Sequence, residues 1–342
     1  LVFFVLFISL ITAFILSISL GSVNIPLRNV FEILFRNSSE RETWKSIIIN
    51  FRLPKALTAV MAGAALSVSG LQMQTLFRNP LADPYVLGIS SGASLGVAIA
   101  VLSSGLVGTN LLLANVPFLQ GLGVVAAASS GALVVFGIVM LVSKKIQHMV
   151  TLLVLGLMIG YTTGAVVNIL VYFSIPEKLQ AFINWTFGSF GGVTWEQMRV
   201  LFPVFTLGLL IVQLNIKALN ALLLGENYAK SMGLNINTAR MSIIGSTSLL
   251  AGAITAFCGP IGFLGVAVPH LARSLLNTSD HRILLPSTTL LGAILALLFD
   301  LIAQMPGNTF TLPLNAVTAL VGAPIIIWVI MGKRNNKIKI TT

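Results

Sequence analysis

Charged residues are scarce in this chain. Only 8% of its 342 residues are Asp, Glu, Lys or Arg, and 56% are hydrophobic, whereas a soluble domain carries about 25% charged residues. A soluble fold of this length could not bury so much apolar surface, because the buried fraction rises only slowly with size. The composition therefore excludes a soluble protein and indicates that lipid is the solvent.

Residues typical of catalytic and metal sites are also few. The chain has one cysteine, Cys258, and its three histidines, His148, His270 and His281, stand far apart. It contains no H-E-x-x-H motif, no C-x-x-C motif and no Walker A loop, which are the signatures of metalloproteases, thiol sites and nucleotide hydrolysis. We therefore expect no metal and no cofactor, and we expect any ATP hydrolysis to lie in another chain.

Apolar runs separated by turn or charge breaks predict about ten transmembrane helices, each needing roughly 20 apolar residues. The predicted spans are 1–20, 57–77, 86–105, 118–142, 151–173, 199–217, 239–258, 262–276, 284–304 and 312–332. The first run lacks the charged start and A-x-A site of a cleaved signal peptide, which favours a span. The predicted fold is all-α, a single polytopic membrane domain over residues 1–342.

The net charge of +11 is better explained by loop bias beside an anionic inner leaflet than by nucleic-acid binding. With a cytoplasmic N-terminus, the cytoplasmic segments hold twelve Lys and Arg against three acids, and the outside segments hold eight against five. The tail from Lys333 to Lys339 contributes most to this bias. We therefore predict that both termini are cytoplasmic.

Two predicted outside segments are long enough to do more than connect spans. Residues 21–56 mix apolar and charged side chains, as an interfacial amphipathic helix does. Residues 174–198 are rich in aromatic rings, which favour the headgroup level, namely Trp185, Phe187, Phe190 and Trp195. Either segment could anchor in the interface or dock a partner.

A short pattern of small residues occurs twice. Ala62-Gly63-Ala64 followed by Gly70 recurs as Ala251-Gly252-Ala253 followed by Gly259, at the same spacing and before a Pro/Gly-rich break. The copies lie five spans apart, an odd number, so they would cross the membrane in opposite directions. We predict an inverted repeat of spans 2–5 and 7–10. Chance is the alternative, because small residues are common where membrane helices pack.

The stretch from Gly259 to Arg273 contains three glycines and two prolines. Broken backbone at membrane depth is tolerated only against protein or a water-filled cavity. The sequence therefore predicts that this stretch lines or braces a pathway, with a plain proline kink as the alternative. The bracing residues are Gly259, Pro260, Gly262, Gly265 and Pro269.

Asp300 is the one acid inside an apolar run of the sequence. An intramembrane ionisable group is a functional hypothesis by default, but a proton-coupled transporter would normally show several. Neighbouring backbone N–H groups that satisfy a single carboxylate near an interface are the simpler explanation.

The predicted cytoplasmic loop over residues 219–238 shows helical spacing. Leu222, Leu223, Glu226 and the Ala229-Lys230 pair recur at that spacing, and Gly225 and Gly233 bracket about two turns. A short amphipathic helix here could fit a groove on a partner or serve as an interfacial connector.

Several residue strings, in order along nearly the whole chain, together resemble one family. They are Arg52-Leu53-Pro54; Asn79-Pro80-Leu81-Ala82-Asp83-Pro84 with Leu87-Gly88; Leu224-Gly225-Glu226 with Ala229 and Gly233; Gly259 to Arg273; Asp280-His281-Arg282 with Leu285-Pro286; and Gly322-Ala323-Pro324. With these strings the chain resembles the permeases of type II ABC importers for iron–siderophore, haem and cobalamin, the FecCD family. The likeness is greatest to cobalamin permeases, although iron-chelate permeases share these motifs.

The resemblance implies a dimer of permease subunits, homomeric or heteromeric, in the inner membrane of a bacterium. Two ATP-binding subunits and an extracytoplasmic substrate-binding protein are the further implied partners. Residue by residue, it assigns ATPase coupling to Gly225, Glu226, Ala229, Lys230, Gly233 and Leu234, the inner gate to Asn79, Leu81 and Thr151, and binding-protein docking to Arg52. Gln304 stands where a second docking arginine is expected, and Thr311-Leu312-Pro313 replaces the frequent Glu-Leu-Pro.

The function expected from this resemblance is uptake of an iron(III) chelate, haem or cobalamin by alternating access, driven by ATP hydrolysis in a partner. An ion-coupled secondary transporter with inverted repeats is the alternative. A channel or structural membrane protein without energy coupling is a further one.

Overall fold

The computed structural model of the protein describes residues 2–21, 23, 25–36, 41–102, 117–143, 146, 149–307 and 310–338. Within these ranges every regular element is helical, which confirms the predicted all-α class. The helices are α1 (Val2–Ser19), α2 (Leu27–Arg36), α3 (Glu42–Ser46), α4 (Leu53–Leu76), α5 (Ile89–Leu102), α6 (Pro117–Ser143), α7 (Met149–Tyr172), α8 (Pro176–Thr186), α9 (Trp195–Leu214), α10 (Ile216–Leu223), α11 (Glu226–Ser231), α12 (Ile236–Cys258), α13 (Leu264–Leu276), α14 (His281–Gln304) and α15 (Leu314–Ile338). Lys144, Lys145, His148 and Lys339, which entered the sequence predictions, lie outside the described residues.

Each of the ten predicted spans contains a helix. Among the described residues, seven helical stretches are long and apolar enough to cross a membrane: Val2–Ser19, Glu42–Leu76, Gly123–Ser143, Val150–Tyr172, Trp195–Leu214, Ile236–Cys258 and His281–Gln304. The third, eighth and tenth predicted spans hold shorter apolar helices, Ile89–Leu102, Leu264–Leu276 and Leu314–Ile327. The protein is thus a multi-pass helical membrane protein, whereas the count of ten crossings and the direction of the termini stay predictions.

The two long segments that were predicted to lie outside are partly helical. Residues 21–56 contain α2, α3 and a π-helical turn, Ile47–Arg52, which leads into α4. Helix α4 begins at Leu53, earlier than predicted, because a proline is tolerated at the start of a helix and Pro54 is its second residue. In the other segment Phe190 is only 1% exposed, so this ring packs inside the protein and not at a headgroup level.

The backbone groups into two compact units, Leu1–Leu71 with Ile261–Thr342, and Gln72–Pro260. In the first unit α1 packs on α14, and α13, α14 and α15 pack on one another. In the second unit α5, α6 and α7 pack on one another, and α12 contacts α5, α6 and α9. The span window of α12 is 67% buried, against 22–28% for α6, α7 and α9, so α12 is the central helix of this unit.

The small-residue pattern that suggested the repeat occurs in α4 and in α12, but the two copies differ in register. Gly70 lies inside α4, whereas Gly259 lies just beyond the end of α12. The inverted orientation of the two sets of spans remains a prediction.

Candidate functional site

The loop predicted over residues 219–238 forms two short helices. Helix α10 buries Leu222, and α11 begins after Gly225. Gly225 has φ 112° and ψ 152°, a backbone conformation that is essentially confined to glycine. The short helix between the two predicted glycines is thereby confirmed. Continuous helical spacing from Leu222 to Lys230 is wrong, because Gly225 turns the chain between the two helices.

The end of α11 is closed by the second of these glycines. Gly233, at φ +84°, donates its N–H to the Lys230 carbonyl at 3.0 Å, and Leu234 donates to the Ala229 carbonyl at 3.0 Å. These two bonds around a left-handed residue form a Schellman motif. Glu226 in the first turn and Lys230 in the last turn each carry the charge that the helix dipole stabilises at that end. Local chemistry therefore sets where this short helix begins and ends.

Apolar side chains are exposed around α11. Leu224, Tyr228 and Met232 are 61%, 57% and 62% exposed, while Ala229 on the other face is fully buried. Single exposed apolar residues are ordinary, but neighbouring ones on one surface indicate a contact with protein or lipid. Helix α11 therefore packs inward through Ala229 and presents an apolar outer surface.

The predicted gate residues Asn79 and Leu81 follow a second Schellman motif, at the end of α4. Arg78 has φ +49°, its N–H bonds the Thr75 carbonyl at 3.3 Å, and the Asn79 N–H bonds the Gln74 carbonyl at 3.2 Å. The Asn79 side chain then accepts the Leu81 N–H at 3.0 Å, an Asx turn. The chain is thus held in a tight turn, with Leu81 50% exposed.

Asp83 ends the same turn and starts a 3-10 turn, Pro84–Leu87. Its carboxylate accepts the Tyr85 N–H at 2.8 Å. Burial raises the pKa of Asp83 to about 6, and the bond from Tyr85 opposes part of that rise. Neutral and charged Asp83 therefore coexist slightly below neutral pH.

A groove of about 790 Å³ is lined by residues of the predicted coupling segment and by chain neighbours of the predicted gate residues, while Asn79, Leu81 and Thr151 themselves are not among its lining residues. Its lining includes Arg78 after α4, Val150 at the start of α7, and Tyr228 on α11. Thr151, the third predicted gate residue, is exposed next to Val150. The structure therefore gathers the end of α4, the start of α7 and α11, which are distant in sequence, into one site within the second unit.

Sequence reasoning missed Arg240, which the structure places at this site. Its side chain is buried at the start of α12, where Nη1 donates to the Ile146 carbonyl at 2.7 Å and Nη2 lies 3.5 Å from Glu226 Oε1. Arg240, Ile146 and Glu226 line a second groove, of about 680 Å³. From sequence, Arg240 counted only as a cytoplasmic charge, and its position in the first turns of an apolar helix was the one available signal.

The predicted break after α12 is confirmed. Helix α12 ends at Cys258, whose carbonyl accepts the Ser189 N–H at 2.8 Å. The next residue, Gly259, lies against the backbone of Trp185, and Pro260 follows it outside any helix. The free end of α12 is thus satisfied by the loop between α8 and α9.

The chain after the break is braced within the first unit. Gly262 donates its N–H to Asn315 Oδ1 at 3.0 Å, and α13 then begins at Leu264 with Pro269 inside it. The Gly265 carbonyl oxygen lies only 1.8 Å from where a Cβ on Gly70 would stand, so α4 and α13 touch backbone to backbone. Protein groups therefore satisfy this broken segment, as membrane depth requires.

Arg52, the predicted docking residue, points inward. Its side chain is 9% exposed, with Nη1 donating to the carbonyls of Ile18 at 2.8 Å and Ser19 at 2.7 Å and Nη2 donating to the Val23 carbonyl. The guanidinium thus caps the end of α1, whose last carbonyls lack helical partners. Docking stays a proposal for Arg52, and it would require the guanidinium to leave these carbonyls.

Asp300 has side-chain partners and not the backbone partners expected. Its carboxylate lies 3.1 Å from Lys55 Nζ and accepts the Gln304 amide at 2.6 Å. Gln304, at the position where the family resemblance expects a docking arginine, therefore serves this buried ion pair. Across the described residues no three His, Cys, Asp or Glu side chains gather as metal ligands do.

Comparisons with known proteins agree on one family. The family model of the FecCD transport family matches residues 9–332. The hemin transport system permease of Yersinia pestis is 36% identical over 94% of this chain and 93% of its own length. The vitamin B12 import system permease of Citrobacter koseri is 36% identical over 83% of this chain and 82% of its own length.

A solved structure shows the same fold. An ABC transporter assigned to the metal-chelate type, in an inward-facing conformation, matches with a TM-score of 0.82 and 29% identity, over 97% of this chain and 99% of that one.

Proposed function

The chain belongs to the FecCD transport family, and on that premise we propose that it is the permease subunit of an ATP-driven importer. Its cargo is an iron(III) chelate, haem or cobalamin, which it moves by alternating access. The observation that carries this proposal is the site where α11 lies beside the end of α4 and the start of α7. An ATP-binding subunit could move the gate segments through a short exposed helix that lies beside them.

We assign ATPase coupling to the segment from Gly225 to Leu234, within the cytoplasmic loop 219–238. Leu224, Tyr228 and Met232 supply an exposed apolar surface that a groove on an ATP-binding subunit could cover. Gly225 and Gly233 supply a defined start and end, so the helix can move as a rigid piece. Ala229 holds the helix in place by packing. Glu226 and Lys230 stabilise it because each charge is favourable at its end of the helix dipole.

The inner gate in this proposal is Asn79, Leu81 and Thr151. The Asx turn at Asn79 holds the backbone of an exposed Leu81, and an exposed apolar side chain on a tight turn is suited to closing a pathway. The bracing residues in this proposal are Gly259, Pro260, Gly262, Gly265 and Pro269. Their support is the helix break at Gly259 and Pro260, the hydrogen bond that the Gly262 N–H donates to the Asn315 side chain, and the close backbone contact at Gly265.

The wider assembly follows from the same premise. Two ATP-binding subunits bind on the cytoplasmic side, a substrate-binding protein delivers cargo from outside near Arg52, and a second permease subunit completes the path in a bacterial inner membrane. The cargo class comes from relatives named for hemin and vitamin B12. The chain itself hydrolyses nothing in this scheme.

The ion-coupled alternative is less well supported. A proton-coupled transporter would normally hold several carboxyl groups inside its apolar helices, whereas Asp300 is the one acid inside an apolar run, and it is paired with Lys55 and hydrogen-bonded by Gln304. A carboxylate held in this way is a structural ion pair.

The test is reconstitution in lipid vesicles with and without the ATP-binding subunit. We expect uptake of haem, cobalamin or an iron(III)–siderophore only when ATP, the ATP-binding subunit and the binding protein are all present. Uptake by this chain alone, driven by an ion gradient, would contradict the proposal. Passive flux without any energy source would indicate a channel.

A further inference from the structure

Two arginines join α11 to the predicted gate segments, one on each side. We propose that Arg78 and Arg240 are positioning residues that carry the movement of α11 to the α4–α5 turn and to the α6–α7 connection. The inference deepens the proposed function and rests on it. Both residues lie within the second unit, as do all their partners named below.

Arg78 joins α4 to the break between α10 and α11. Its Nη2 lies 3.5 Å from the Leu223 carbonyl, the last of α10. The same guanidinium lies over Gly225, with Nη2 3.1 Å from where a Cβ would stand. A shift of Gly225 toward α4 therefore displaces the Arg78 guanidinium, and the residue after Arg78 is Asn79.

The backbone at Arg78 supports a role for its side chain. It occupies the left-handed position of a Schellman motif, at φ +49°, where glycine is the favoured residue and an L-residue is disfavoured. Backbone preference therefore does not explain an arginine at this position. What the arginine adds is the contact of its guanidinium. Glycine at this position would relax the backbone and remove only the contact.

Arg240 joins three elements on the other side of α11. From α12 it reaches the Ile146 carbonyl at 2.7 Å and Glu226 at 3.5 Å, and its side chain is 4% exposed. Bonds from a charged donor are stronger than neutral ones, above all away from water. Glu226 on α11 and the carbonyl of Ile146, five residues before Thr151, therefore share one guanidinium.

Open grooves separate α11 from these segments on both sides, and each arginine lines one of them. Continuous packing cannot transmit a movement across open volume, whereas a bridging side chain can. Glu226 lines both grooves, which places the start of α11 between the two arginines. Movement of one short helix is thereby delivered to two gate segments together.

The first test measures coupling in the reconstituted complex. Arg240→Gln should lower uptake per ATP hydrolysed roughly tenfold, the size expected for one lost bond to a charged donor, while ATP turnover continues. Arg78→Gly should lower it by a smaller factor, because the 3.5 Å bond of Arg78 is exposed to solvent. Arg78→Lys and Arg240→Lys should restore part of it. Lys217→Ala, which removes an exposed charge from α10, is the matched control and should leave the ratio unchanged.

The melting temperature of Arg78→Gly distinguishes a coupling defect from a folding defect. Arg78→Gly should melt no lower than wild type, because glycine suits the left-handed position. A wild-type uptake-to-ATP ratio in both Arg78→Gly and Arg240→Gln would overturn the proposal while leaving the transport function intact.

The second test needs neither ATPase nor cargo. Spin labels are placed on the exposed residues Tyr228 and Leu81, or Tyr228 and Val150, each replaced by cysteine; the native Cys258 is buried and stays unlabelled. Arg78→Gly should broaden the distance distribution of the Tyr228–Leu81 pair alone, and Arg240→Gln that of the Tyr228–Val150 pair alone. Unchanged distributions would overturn the proposal even if transport proves ATP-driven, so its failure is distinguishable from failure of the proposed function.

Discussion

The contact between α4 and α13 offers a sharp test of the packing. Replacing Gly70 with alanine would place a Cβ 1.8 Å from the Gly265 carbonyl oxygen and 2.6 Å from its Cα. Both neighbours are backbone atoms, so no rotamer change can relieve the clash. The two helices must move apart at the point where the broken segment enters α13.

The size of the effect follows from these distances. Ordinary contact begins at 3.4 Å, so the helices must separate locally by about 1.5 Å, which loses the close packing that small residues allow. Overpacking of this kind costs about 1–3 kcal/mol. Gly245 in α12 has nothing within 4 Å of where a Cβ would stand, so Gly245→Ala gains the same helix propensity without the clash.

The assay is thermal unfolding of the purified variants in one detergent, followed by tryptophan fluorescence. Gly70→Ala should melt roughly 2–10 °C below Gly245→Ala, and the difference cancels the propensity gain common to both. Equal melting temperatures would refute the backbone contact between α4 and α13. A second readout is uptake, which should fall in Gly70→Ala because the pathway wall is displaced.

Four further substitutions test other contacts. Asp300→Ala should cost about 3–5 kcal/mol by leaving Lys55 unpaired, and adding Lys55→Ala should recover part of it in a thermal-shift series; no recovery would argue against the pair. Arg52→Ala should lower the melting temperature by uncapping α1, with Arg52→Lys intermediate, whereas a loss confined to binding-protein affinity would favour docking. Gly233→Pro should abolish substrate-stimulated ATP turnover, since proline fixes φ near −65° where the chain has +84°. Gly233→Ala is the milder control. Normal turnover in the proline variant would count against α11 as the coupling helix. Asp83→Asn should raise the melting temperature more at pH 8 than at pH 4. The reason is that a pKa of about 6 makes the folded state lose stability as pH rises from 4 to 6. Equal changes in melting temperature at the two pH values would contradict the raised pKa of Asp83.

Much of the architecture is encoded locally. Scarce charge and long apolar runs were enough to predict a multi-pass helical protein, because no soluble core can hide that surface. Gly225 and Gly233 were predicted to bracket a short helix, and the stretch after Cys258 was predicted to break. These predictions were confirmed because glycine and proline act on their own φ and on hydrogen bonds a few residues away.

Helix entry points and side-chain partners were encoded less well. The predicted span from residue 57 began too late, since Pro54 is compatible with a helix start. Continuous spacing from Leu222 to Lys230 was misleading, since a periodic pattern does not register a single turn between two helices. Phe190 was expected at an interface, but an aromatic ring is equally at home in a protein interior.

The long-range ties were decided only by tertiary structure. Arg78 and the Leu223 carbonyl are 145 residues apart, and Arg240 and the Ile146 carbonyl are 94 apart. A backbone carbonyl carries no sequence signal as an acceptor, and a long charged side chain can reach many positions. Composition and local pattern therefore determined the solvent, the helices and their breaks, whereas the packing of distant helices decided which carbonyl each guanidinium holds.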